Sequence, residues 1–176
     1  MKIILSTLFL YIFSYQAHAA VAGCNCVVFR LDDIQDYWLS NNQQILINTF
    51  RNLSVPLTIG IIANEFGEDT ALVKTINASL YDPRFELEIA DHGYNHEDFT
   101  TFTYAQQLNL LQEALAKIKQ YLPVVKKINT FIPPYNAWNN NTVTALAQVN
   151  ITYMSSQLEL DSPPYPFSGN RYIFYR

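Results

Sequence analysis

Residues 85–96, Phe85-Glu86-Leu87-Glu88-Ile89-Ala90-Asp91-His92-Gly93-Tyr94-Asn95-His96, carry two readings that together decide the fold. The first half, Phe85 to Ala90, is short and rich in apolar side chains, as expected of a buried strand. The second half sets two imidazoles four residues apart just beyond that strand's carboxyl end. On a helix such spacing brings both rings to one face, where they suit a divalent ion.

Working outward, four further runs have the same character: Val27 to Leu31, Leu57 to Ile62, Ile128 to Ile132 and Ile151 to Met154. Between them the apolar period lengthens to that of helices. Tyr104 to Leu122 is the clearest, with Leu108, Leu111, Leu115, Ile118 and Leu122 at steps of three and four. Thr103 and Gln106 form a capping-box pattern before it, and Pro123 marks its end. Ser40 and Gln43 offer a similar box for a helix to about Asn52, and shorter helices are expected over 69–80 and 142–149. The alternation βαβαβαβαβ predicts an α/β fold, a mainly parallel sheet or barrel with right-handed crossovers.

Each expected strand is followed by polar residues: Asp32-Asp33, Asn64-Glu65, Asp91 to His96, Pro133 to Asn136, and Ser155-Ser156. In a parallel α/β architecture these carboxyl ends share one face, where such folds place their sites. Two imidazoles and one carboxylate give a cation three protein ligands and leave a position open, the arrangement of a catalytic centre. The other aspartate of the pair is then available as a base. Taken singly, Asp-Asp after a strand also reads as a turn or helix cap, and the histidines as an ordinary hydrogen-bonding pair. Asp91 reads either as a cap of its turn or as a carboxylate orienting an imidazole.

The 176 residues open with Lys2, the apolar run Ile3 to Phe13, and Ala17-His18-Ala19, the layout of an export signal cleaved after residue 19. The run is too short to span a bilayer, so no transmembrane segment is expected. A short segment, 20–25, then leads into one domain over 26–176. Cys24 and Cys26 are compatible with a disulfide, with pairing elsewhere, or with a lipid-modified Cys24. Sequons at Asn52, Asn77, Asn140 and Asn150 fit a secreted, extracellular glycoprotein. A formal net charge of -4 without any basic run argues against nucleic-acid and acidic-lipid partners. Tyr37, Trp38, Tyr94, Phe99, Tyr135 and Trp138 fall on or near the polar loops. With aromatics at 14% of the chain, many of these are packing residues, and Trp38 and Trp138 are the preferred faces for stacking on a ligand ring.

Phe29-Arg30-Leu31-Asp32-Asp33, His92-Gly93-Tyr94-Asn95-His96 and Phe131-Ile132-Pro133-Pro134-Tyr135-Asn136 together resemble the three leading motifs of the polysaccharide deacetylases, the NodB homology domain of carbohydrate esterase family 4. The resemblance implies a distorted (β/α) barrel. It implies that Asp33, His92 and His96 hold one divalent metal ion, usually zinc, and that Asp32 is the general base. Tyr135 would contribute its backbone N–H to an oxyanion hole, with Pro134 in the same substrate-facing loop. The implied partner is an acetylated glycan such as chitin, and the implied reaction is removal of N-acetyl groups.

The chain departs from the family pattern in two places. Ile132 stands where the family commonly has an arginine that orients the base. The later Leu-x-His segment, whose histidine acts as general acid, has no counterpart, and the chain stops at Tyr172-Ile173-Phe174-Tyr175-Arg176. These departures predict an incomplete barrel lacking its last strands. They leave open a carbohydrate-binding protein without turnover, or a hydrolase of another amide or acetyl ester.

Overall fold

A computed structural model describes residues 27–156, 166–167 and 171–174. The proposed signal, Cys24 and Cys26 lie outside these residues.

The expected alternation is what the chain adopts. The order is β1 (Arg30–Ile34), α1 (Ser40–Leu53), β2 (Leu57–Ile61), α2 (Thr70–Leu80), β3 (Leu87–Asp91), α3 (Tyr104–Tyr121), β4 (Thr130–Phe131), α4 (Asn140–Gln148), β5 (Tyr153–Ser155), β6 (Pro166–Phe167) and β7 (Arg171–Phe174). The sheet runs β1-β2-β3-β4-β5-β7-β6, parallel except for the final pair β6 and β7. Among the described residues it does not close on itself, with β1 and β6 as its edges.

The core lies between the sheet and its helices. Ile47 of α1, Leu72 and Ile76 of α2, and Ala114, Ile118 and Leu122 at α3 pack with Ile59, Ile61 and Ile89 of the sheet. A second cluster joins Leu111, Phe131, Ala145, Leu146 and Met154 beneath α3 and α4, with Phe99 and Phe131 rings edge to face. The opposite face of the sheet is polar. Thr58 donates to Glu88 at 2.7 Å and Thr130 donates to the other oxygen of Glu88 at 2.5 Å, linking β2, β3 and β4.

Local chemistry explains where elements start. The Thr103 and Gln106 box forms as expected at α3. At α1 the expected box does not form: Leu39, in the left-handed region, occupies the cap position and Ser40 bonds the Asp69 carboxylate. Gln43 is buried and holds the β1–α1 loop, donating to the Trp38 carbonyl at 2.6 Å and accepting from the Gln35 N–H. β1 starts three residues later than its apolar run and takes in Asp32 and Asp33. Its register with β2 shifts between Leu31 and Ile34, so the acid pair sits in a bulge rather than after the strand.

Candidate metal centre

Asp33, His92 and His96 come together at the carboxyl ends of β1 and β3. One oxygen of Asp33, Oδ1, stands 3.2 Å from Nε2 of His92 and 3.2 Å from Nε2 of His96. Ligands of a tetrahedral zinc, each about 2.1 Å from the ion, lie about 3.4 Å apart. Both imidazole nitrogens thus stand from the Asp33 oxygen at nearly the separation such an ion needs, and all three donor atoms lie within 4.8 Å of one another. Two neutral imidazoles and a carboxylate are also the donor types that this ion prefers. The residues fit a divalent metal.

The backbone at the centre is unusual. Asp33 (φ 60°), His96 (φ 57°) and Tyr135 (φ 57°) are all left-handed, a region non-glycine residues seldom visit and one that concentrates at functional sites. The histidines do not share a helix, contrary to the reading of their spacing. They lie in the loop after β3, and Gly93 (φ 81°) makes the turn that brings the second ring back to the first. A side chain at Gly93 would meet Pro134 and the Glu97 carboxylate at 3.1 Å besides demanding that φ. Glu97 closes the loop by accepting from the N–H groups of Tyr94 and Asn95. The loop after β2 is tied to it through Ala63 N–H to the Gly93 carbonyl and Asn64 N–H to the Tyr94 carbonyl.

The two rings differ in freedom. His92 is buried, and its Nδ1 lies 2.7 Å from the Ile132 carbonyl. That bond places a proton on Nδ1 and leaves Nε2 facing Asp33, to which it donates when the ring is charged, while its lone pair is free for an ion when the ring is neutral. Burial works against charging His92, but the bond to Asp33, the Ile132 carbonyl and the nearby carboxylates outweigh it and raise its pKa. His96 is more exposed; partial burial and the neighbouring His92 lower its pKa. The bond from His92 holds the Asp33 carboxyl below the usual range. Asp32, half-buried beside them, is pushed up to about 6, the loss of solvent outweighing the attraction of His92.

Asp32 is held by a residue for which no role was expected. Arg30 Nη2 donates to Asp32 Oδ2 at 2.8 Å and its Nε stands 2.7 Å from Oδ1. The period of a strand places residues i and i+2 on one face, and that was the available signal. Ile132, where the family commonly carries arginine, is fully buried and contributes its backbone: its carbonyl takes His92 Nδ1 and its N–H donates to the Asp91 carbonyl at 2.8 Å. Asp91 is fully buried, accepts the Gly93 N–H at 2.9 Å and so caps its turn; burial pushes its pKa up to about 7.

The loop residues divide. Tyr135 is 69% exposed and its ring lies 4.6 Å from that of His96, edge to face. Trp38, with Tyr37, is exposed on the loop after β1. Trp138 is half-buried against the second core cluster, and Pro134 is buried against Gly93, so both shape the loop that carries Tyr135.

A family model for polysaccharide deacetylases matches residues 20–154. No curated protein matches the sequence significantly. Among solved structures, a Streptococcus pyogenes deacetylase in complex with acetate superposes with a TM-score of 0.67 at 14% identity, over 88% of this chain and 66% of that one. A family 4 carbohydrate esterase from Streptomyces lividans, also with acetate, gives 0.60 at 20% identity, over 77% and 64%. A family 4 pseudoenzyme from Bacillus anthracis gives 0.59 at 16% identity, over 72% of this chain and 42% of its own. These similarities show the shared fold, in partners longer than this chain. With the family model spanning most of its length, the chain belongs to the polysaccharide deacetylase family.

Proposed function

We propose that this chain is an exported, metal-dependent hydrolase that removes N-acetyl groups from an amino-sugar polymer such as chitin. The observation that carries the reading is the convergence of the Asp33, His92 and His96 donor atoms beside the base candidate Asp32. Those three residues would hold the ion, zinc by the chemistry of the donor set, and it would supply Lewis acidity for water and carbonyl alike. Asp32 accepts the proton of an attacking water, and its partial burial, which raises its pKa to about 6 in the metal-free chain, favours that role as a base. His92, its Nδ1 proton committed to Ile132, keeps one orientation. Exposed Tyr135, Trp38 and Tyr37 offer flat faces to sugar rings, and the Tyr135 N–H is the oxyanion donor that the family resemblance implies.

Release of acetate from N-acetylated chitooligosaccharides tests this reading. The wild-type protein with zinc should release it, and Asp32→Asn should lose about 100-fold or more in kcat. A second reading, a carbohydrate-binding protein without turnover, is favoured by Ile132, which stands where the family commonly carries the arginine that orients the base. Oligosaccharide binding without acetate release would favour it.

A further inference from the structure

Outside the three candidate ligands, Arg30 links the acid pair to a strand far away in the sheet order. Its side chain is 8% exposed. One edge of the guanidinium meets both oxygens of Asp32, at 2.7 and 2.8 Å. Its remaining nitrogen, Nη1, donates to the backbone carbonyl of Ser155 at 2.9 Å and to Ser155 Oγ at 2.6 Å. β1 and β5 are separated by three strands in the sheet order. In a flat sheet four spacings of about 4.8 Å would hold them about 19 Å apart, far beyond the reach of one arginine. The sheet must therefore curl until its first and fifth strands face each other, and Arg30 spans the gap.

We propose that Arg30 is the positioning residue for Asp32, fixing the base carboxylate from β1 and bracing it against Ser155 across the curled sheet. The assignment rests on the hydrolase reading for what Asp32 does, while the bracing itself is independent of turnover. A planar guanidinium can grip two carboxylate oxygens along one edge and still donate from the other, which a lysine ammonium cannot do. A buried arginine left without its acid, or the acid without its arginine, would be an uncompensated charge, so the pair holds together. The role that the family pattern gives to an arginine at the position of Ile132 is filled here from two residues before the base on its own strand.

The test compares wild type, Arg30→Met and Arg30→Lys by zinc affinity, acetate release and crystal structure. Lysine keeps a positive charge beside Asp32, so Arg30→Lys keeps the test alive if the methionine variant does not fold. Zinc affinity should stay within about threefold of wild type in both variants, since Arg30 touches none of the three ligands. For turnover, kcat should fall about 100-fold with KM little changed, the size of loss expected when a reacting group is displaced by about an ångström. Guanidinium added to Arg30→Met at sub-denaturing concentration should restore part of kcat. In the crystals the Asp32 carboxylate should leave its place or occupy several rotamers. An unmoved Asp32 carboxylate in Arg30→Lys, or wild-type kcat in either variant, overturns the proposal. If wild type itself releases no acetate, the hydrolase reading falls, and the position of Asp32 in the variant crystals still decides the role of Arg30.

Discussion

His92 Nδ1 is anchored on the carbonyl oxygen of Ile132 at 2.7 Å, so a metal-facing imidazole takes its orientation from the backbone of the neighbouring strand end rather than from a carboxylate. The contact joins β3 to the segment leaving β4, and the fold delivers it without any particular side chain at position 132. Its accuracy depends on how closely the two segments approach, and that approach is set by Gly60 on β2. A methyl group there would come within 2.9 Å of Ile132 Cδ1 and 3.3 Å of His92 Cβ.

Gly60→Ala should accordingly disturb the centre from beneath. Overpacking of this kind costs about 1–3 kcal/mol, and displacement of an anchored imidazole costs about tenfold in metal affinity. Urea denaturation and zinc titration of the variant measure the two effects. A variant as stable and as tight-binding as wild type would show that the packing around His92 has slack.

Asp33→Asn separates charge from backbone at the bulge. Asparagine tolerates the left-handed φ that Asp33 adopts, so stability should change by less than about 1 kcal/mol. Loss of the carboxylate should weaken zinc binding by at least about 100-fold, because the anionic donor common to both imidazole contacts is gone. Thermal unfolding beside zinc titration reads both numbers; a large loss of stability with intact affinity would reverse the assignment.

Asp91 predicts a pH dependence of stability in the metal-free protein. Its folded pKa, pushed to about 7 by burial, lies above the unfolded value near 4. The folded state then binds the proton more tightly, and stability from this group is complete below about pH 4 and is lost as pH rises through about 7. Asp91→Asn keeps an oxygen for the Gly93 N–H and removes the titration. With chelator present, the stability of wild type minus that of Asp91→Asn should fall by a few kcal/mol between pH 4 and pH 8. A flat difference would mean that Asp91 is ionised at little cost in the folded protein.

The alternating apolar runs made the parallel α/β order legible, because buried strands and amphipathic helices leave different periods. The position of His92 and His96 just beyond β3 was legible for the same reason. What could not be read is how the backbone delivers these side chains. The His92–His96 spacing is equally that of one helical turn, and only the left-handed angles at Gly93 and His96 make it a loop. The acid pair read as the end of a strand because a bulge leaves no mark in apolar periodicity. Ser40 and Gln43 matched a capping box, but Asp69 and the Trp38 carbonyl, distant partners in sequence or conformation, captured their side chains instead. Arg30 stood in plain view two residues before Asp32, yet its second partner, Ser155, is 125 residues away and is brought to it only by the curl of the sheet.

The central claim, that Asp33, His92 and His96 jointly bind one cation, is tested most directly by calorimetric titration of zinc into the chelator-stripped protein and into Asp33→Ala, His92→Ala and His96→Ala. One ion per chain in the wild type, with affinity reduced by at least about 100-fold in each variant, is the expected result. Equal affinity in all four proteins would contradict it.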